Sequence, residues 1–387
     1  MKNIRVLYDY QAFQMQKFGG VSRCFAELYK HLPQNVHAKI GVRESDNVYI
    51  QDVEGVHPVG YAYEHFICNK YFYGKGRLHI LYDRITRGGY YPNSELNYSI
   101  SLLKKGNFDV FHPTFFSNYF IPFLGKKPFV LTIHDMIPEL YPQYFKKNDF
   151  QMVMRKELAP KASAIITVSM NTKKDVVRLL KVPEEKVHVV HHGCSFPKES
   201  KVQISINEGN PYILYVGERG CYKNFNLFFK HIIPFLKKHP EVSVVCTGRP
   251  FSGDEIKMFE SQGLLSRFIY YWVKTDEEFF SLYHQALCFI YPSEYEGFGI
   301  PILEAYQADC PVLLNNASCF PEIAGDAAIY FDLNIKESNI VERLEQVYSF
   351  SDRELNDLLL KQRERLACYS WDKNAERTAD IYCKFVQ

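Results

Sequence analysis

Short apolar runs alternate with amphipathic stretches along the whole chain. In the first half the runs are IRVLYDY, DVFHP, FVLTIHD, AIITVS and VHVVHHG; in the second they are YILYVG, VSVVCTG, FIYYWV, CFIYPS, PVLLNN and AAIYFD. Segments with helical spacing lie between them, among them Val21–Leu32, Asn171–Leu180, Asn224–Lys238 and Asp276–Ala286. A strand that is apolar on both faces must be covered on both, and the intervening helices supply the cover. The pattern therefore predicts parallel sheets wrapped by helices. The alternation pauses at SFPKESKVQISINEGN, a polar stretch with Pro197, Gly209 and no helical period. With 387 residues the chain is too long for one typical core. The expectation is an α/β protein with two Rossmann-like doubly wound domains, residues 1–195 and 211–370, joined by a linker at 196–210 and facing each other across a cleft. Two helical patterns end the chain, Asp352–Leu366 and Trp371–Phe385, the second capped by Ser370. Ligands of such sheets bind beyond the carboxyl ends of the strands, so the loops after the apolar runs are where chemistry is expected.

Composition narrows the partners. The formal net charge is +2, so no global charge draws the protein to nucleic acid. Aromatic residues make up 16% of the chain, including 28 Tyr, whose polar ends suit either a cleft or a tyrosine-rich core. Residues 60–105 are locally basic: Lys70, Lys75, Arg77, Arg84, Arg87, Lys104 and Lys105 outnumber Glu64, Asp83 and Glu95, with Tyr and Phe interleaved. That segment reads as a solvated surface or as a peripheral contact with an anionic membrane or a phosphate-bearing acceptor. Ten cysteines form no C-x-x-C pair and no metal-ligand spacing. Most sit in apolar runs, as Cys246 and Cys288 do, which suits free thiols in a reducing cytoplasm. MKNIRVLYDY reads as a strand and not as a signal peptide, and no apolar run reaches the roughly 18 residues of a membrane span. A cytoplasmic protein, peripheral at the inner membrane face if at all, is expected.

The segment richest in chemistry is YPSEYEGFGIPILEA, Tyr291–Ala305. A strand runs into a glycine-rich loop and then a helix near Ile300, with Pro301 in its first turn. The amides of Phe298, Gly299 and Ile300, together with the helix dipole, form an anion site suited to a diphosphate. Glu296 precedes the helix and Glu304 lies inside it, so the two carboxylates reach different parts of one ligand. This segment resembles the signature of the retaining glycosyltransferases of family four, which have the GT-B fold and a Glu-x7-Glu motif. Three more segments are similar to that family in order and spacing. LYVGERGCYKNFNLFF resembles the donor-phosphate segment, with Arg219 and Lys223 at its basic positions; Tyr222 stands where many members carry a further Arg. FGGVSRCFAEL resembles the N-terminal loop, with Gly19 and Gly20 near the diphosphate and acceptor. TIHDMIPELYP resembles the His-Asp motif, with His134 at the transferred sugar and Asp135 positioning the loop. His191, His192 and Pro321-Glu322-Ile323 read as structural.

The resemblance implies a retaining hexosyltransferase that uses a nucleotide-diphosphate sugar as co-substrate, without a metal or other cofactor. Glu296 would contact the sugar and Glu304 the ribose. GDP-mannose is the first donor implied by family frequency and UDP-hexoses come next; the acceptor is a saccharide or lipid-linked oligosaccharide of surface polysaccharide synthesis. Residues 53–98 carry little of the family pattern, so the resemblance does not reach the acceptor. A nucleotide-sugar epimerase of the same fold and a non-catalytic sugar-binding scaffold are the alternatives. A dinucleotide enzyme is excluded by the want of G-x-G-x-x-G after a strand.

Overall fold

The computed structural model describes residues 3–68, 70–86, 94–333 and 338–386. The first domain holds β1 (Ile4–Tyr8), β2 (Val36–Ile40), β3 (Val110–His112), β4 (Val130–Ile133), β5 (Ala164–Thr167) and β6 (Val187–Val189). They pair in parallel in the orders β2-β1-β3 and β4-β5-β6, and a bridge between Phe111 and Phe129 joins the two sets. The second domain holds β7 (Tyr212–Tyr215), β8 (Ser243–Cys246), β9 (Phe268–Tyr270), β10 (Cys288–Tyr291), β11 (Val312–Asn315) and β12 (Ile329–Phe331). They form one parallel sheet in the order β12-β11-β10-β7-β8-β9. Strands β5, β7, β8, β10 and β11 are buried at every position, which is what helices on both faces demand.

Strand order reverses beside β1 in the first sheet and between β7 and β10 in the second. At such a switch point the two neighbouring loops turn to opposite faces and leave a crevice. The loops after β1, β7 and β10 carry Gly19, Lys223 and Glu296 respectively.

The last helix, Trp371–Cys383, returns to the first domain. Ala375, Ala379, Ile381 and Tyr382 share a core with Ile4, Val6 and Tyr8. Tyr382 Oη is hydrogen-bonded to Tyr8 Oη at 2.9 Å and to His112 Nδ1 at 2.6 Å, so the buried hydroxyls are satisfied.

Three features went beyond the sequence reading. The strand β2 went unread because it is an edge strand with exposed and half-exposed positions in its middle, not a continuous apolar run. The linker packs on the second domain. Phe196 and Ile206 are buried in the second domain's core, Phe196 against Phe279, Phe280 and Tyr283, and Ser281 Oγ donates to the Val202 carbonyl at 2.8 Å. In the basic segment, Lys75 is buried, and its ammonium donates to the carbonyls of Glu64 and Cys68 at 2.8 and 2.7 Å. It is therefore no surface cation. Arg87 lies outside the described residues, as do the side chains of Asp83 and Arg84.

Candidate active site

Gly299 caps the helix Ile300–Gln307 with φ of 89°, a left-handed conformation that a side chain would strain, and Pro301 follows in the first turn. Among the described residues no protein group accepts from the N–H of Phe298, Gly299 or Ile300. Three donors at a helix start are thus left for a ligand. Just before them, Ser318 Oγ donates to the Glu296 carbonyl at 2.8 Å and lies 3.2 Å from its amide, which fixes the loop. Lys223 Nζ donates to Glu296 Oε1 at 2.5 Å and lies over the Tyr222 and Tyr291 rings. The burial of Tyr291 beside this carboxylate pushes its phenol far up, so it stays a neutral hydroxyl.

These groups open on a cleft of about 800 Å³ between the domains. Gly19, Gly20, His134, Glu296, Phe298, Gly299, Ile300 and Glu304 all line it, and Lys223 reaches it through Glu296. The helix Gly20–Lys30 starts at the cleft behind Gly19. Asp135 accepts from the Ile137 amide at 2.9 Å and so holds the loop that presents His134. Burial, with Arg155 nearby, pulls His134 down to about 4, and its Nε2 has no partner among the described residues. At neutral pH it is an uncharged imidazole at the cleft wall with one buried, unpartnered ring nitrogen.

Arg219 does not join them. Its side chain is wholly buried. Nε donates to Glu255 at 2.9 Å, Nη1 to the Thr247 carbonyl at 3.1 Å, and Nη2 to the carbonyls of Arg249 and Pro250. The expectation that it holds a diphosphate is corrected: its donors are spent on tying the loop after β8 to the sheet. Arg219→Ala therefore costs about 3 kcal/mol of stability, the lower end for breaking a buried pair, since Arg249 still neutralises Glu255. Nucleotide affinity should be unchanged at temperatures where the variant stays folded; calorimetric melting and titration separate the two.

The sequence reading missed Arg23, which sits one turn along the helix that begins at Gly20. Its guanidinium reaches Asp276 and the Ser195 carbonyl at 3.3 Å and lies 3.9 Å from Glu304. Tyr283 Oη donates to the other Glu304 oxygen at 3.2 Å. Burial raises the Glu304 carboxyl above its usual range, against the pull of Arg23. An arginine in a run of ordinary helix residues gave no sign of this; only the approach of the second domain does.

Glu322, read as structural, clasps the domains. It accepts from the amides of Met170 and Asn171 at 2.7 and 3.1 Å, at the start of the helix Met170–Leu180, and from His191 Nε2 at 2.9 Å. Tyr295 Oη adds a bond to Asp175 at 2.6 Å. Burial alone would raise Glu322, but His191 and the two amides outweigh it and hold the carboxyl below its usual range. A depressed folded value means that the clasp is at full strength above the unfolded value, about 4.3, and is lost as pH falls through the folded one. The melting-temperature difference between the wild type and Glu322→Gln should be larger above about pH 5 than at lower pH, and should close as pH falls progressively below the unfolded value of about 4.3.

The family model "Glycosyltransferase Family 4" matches residues 18–195, and "Glycosyl transferases group 1" matches residues 197–366. O-antigen chain mannosyltransferase B of Escherichia coli is 26% identical over 282 residues, 68% of this chain and 72% of its own length. O-antigen chain mannosyltransferase RfbU of Salmonella typhimurium is 26% identical over 248 residues, 64% and 67% of the two chains. A Rickettsia africae glycosyltransferase superposes over all of both chains at a TM-score of 0.70 and 16% identity. Anabaena HepE, solved with UDP and glucose, covers 98% of this chain and 99% of its own at 0.68 and 14%. The two family matches meet at the linker and together run through nearly the whole chain: the protein is a GT-B glycosyltransferase of the family-4 type.

Proposed function

We propose that this glycosyltransferase moves a hexosyl group, mannose from GDP-mannose in the first instance, to a saccharide or lipid-linked acceptor in surface polysaccharide synthesis, with retention at the anomeric carbon. The observation that carries this reading is the convergence, on one cleft at the switch points of both sheets, of a free helix start, the Lys223–Glu296 pair and the neutral His134. Mannose is favoured because two relatives are O-antigen mannosyltransferases. A UDP-hexose is the second reading, supported by the UDP and glucose in the Anabaena neighbour.

The chemistry follows from charge. As the bond from C1 to the diphosphate oxygen breaks, negative charge grows on the leaving group. The amides of Phe298, Gly299 and Ile300 and the ammonium of Lys223 stabilise it without reorganisation. The acceptor oxygen bonds to C1 on the face the diphosphate leaves, and its proton passes to the departing phosphate oxygen. Glu296 and His134 orient the sugar, and Glu304, once released from Arg23, holds the ribose. Neither metal nor other cofactor is needed for these steps.

The acceptor end is supported by the helix Lys75–Thr86. Leu78, Ile80, Leu81, Tyr82 and Ile85 are exposed on it, beside exposed Tyr71 and Tyr73 and the cations Lys70 and Arg77. An apolar face rimmed by cations suits a peripheral seat on an anionic bilayer, where a lipid-linked acceptor resides. Among the described residues no helix is long and apolar enough to cross a membrane.

A panel of nucleotide sugars, screened by thermal shift and by slow donor hydrolysis, tests the reading. GDP-mannose should give the largest stabilisation, with activity undiminished in excess chelator. Stabilisation by UDP-hexoses alone would replace the donor. Release of a free epimerised sugar with UDP, and no transfer, would favour the epimerase instead.

A further inference from the structure

Three soft ligand groups meet at the floor of the cleft without a partner set of their own. Cys24 is on the helix after the glycine pair, His134 follows β4 and His192 follows β6. One ligand atom from each lies within 4.8 Å of the other two. Cys24 Sγ is 3.5 Å from His192 Nε2, and the His134 and His192 rings stack with centroids 5.5 Å apart. Cys24 and His192 are both more than nine-tenths buried. Among the described residues His134 Nε2 and His192 Nδ1 are buried with no hydrogen-bond partner. Buried polar atoms are normally satisfied, and such an omission calls for an occupant.

All three residues line the cleft. One thiolate and two imidazoles make a three-protein-ligand set of the kind that suits a tetrahedral zinc-type ion. The groups are also in the right state to bind. Burial pulls His134 down to about 4 and His192 well below its usual value, so both are neutral donors. Burial pushes the Cys24 thiol up to about 12, so the metal must displace its proton: the S–H bond breaks, the sulfur–metal bond forms and one proton leaves to solvent.

We propose that Cys24, His134 and His192 form a site for one thiophilic divalent cation, and that its occupation withdraws His134 from the donor and shuts the cleft to the sugar. The second half rests on the donor reading above; the first does not. The His192 ring lies against Phe298 at the helix start, with centroids 5.1 Å apart, so an ion held here borders the donor and obstructs it.

Cobalt(II) is the probe, added to the full chain with no nucleotide. One tight equivalent should appear with visible ligand-field bands and a near-ultraviolet thiolate-to-cobalt band. Cys24→Ser should lose the thiolate band and bind at least about tenfold more weakly, and His192→Asn should weaken binding by a similar factor. Melting curves serve to check that each variant is folded, and two variants on different elements guard against the failure of one. The exposed thiols Cys68, Cys221, Cys368 and Cys383 are the competing source of cobalt binding. Identical spectra for wild type and Cys24→Ser would assign the signal to them and overturn the site. Zinc at one equivalent should then lower donor hydrolysis or transfer by at least about tenfold in the wild type and leave Cys24→Ser unaffected. An unchanged wild-type rate with cobalt visibly displaced by zinc would overturn the blocking. If no donor in the panel is used, the cobalt spectra still decide the site.

Discussion

Glu296→Gln should lower turnover by about 100-fold or more, while the protein keeps its fold and binds nucleoside diphosphate as tightly as the wild type or more so. The opposite signs come from one contact. In the free protein Lys223 Nζ is held by Glu296 Oε1 at 2.5 Å, so a diphosphate must draw that ammonium away from a carboxylate. Removing the negative charge frees the lysine for the phosphate but takes from the sugar the group that orients it. Glu304→Gln is the counterpart. Its carboxylate sits with Tyr283 and Arg23 and is assigned to the ribose, so its loss should weaken nucleotide binding roughly tenfold or more at similar turnover. Titration calorimetry and steady-state rates on both variants check the pair. Reduced diphosphate affinity with unchanged turnover in Glu296→Gln would reverse the assignment.

Gly297→Ala should be as damaging for a purely geometric reason. A Cβ at this position would stand 1.8 Å from the His134 carbonyl oxygen and 2.9 Å from its carbonyl carbon. Both are backbone atoms of the other domain, held by β4 behind them, so no side chain can swing aside. Thr172 Oγ1, which donates to the Gly297 carbonyl at 3.3 Å, marks the same close approach. The domains must part locally by an ångström or more, and His134 moves away from Glu296 with them. A misplacement of about 1 Å in a reacting constellation costs on the order of 100-fold in rate. Each domain keeps its own core, so far-ultraviolet circular dichroism should be unchanged while the radius of gyration rises. Wild-type activity together with an unaltered scattering curve would show that the approach of the two domains is not needed.

The sequence by itself determined the scheme of parallel sheets covered by helices on both faces. Apolar runs such as YILY, CFIY and VLLN can be stable only when covered on both faces, and all three are strands buried at every position. The start of the helix Ile300–Gln307 was equally legible, because Gly299 and Pro301 act through local backbone geometry that needs no distant partner. So was the final helix, with its capping Ser370. These are short-range effects, and a linear string records them.

What only the tertiary structure decided is which polar group meets which. Arg219 and Arg23 are both arginines in loop or helix settings, yet one is sealed against Glu255 and the loop carbonyls while the other faces the cleft. Charge alone could not separate them, because burial depends on β8 and its loop in one case and on the opposite domain in the other. Glu322 looked like an ordinary helix residue until the start of the helix Met170–Leu180 was brought onto it. Cys24, His134 and His192 lie on three segments far apart in sequence and have no motif spacing; the sheet order places them side by side. A parallel sheet aligns the carboxyl ends of strands that are distant along the chain, so the chemistry assembled there is set by topology and not by neighbours in sequence.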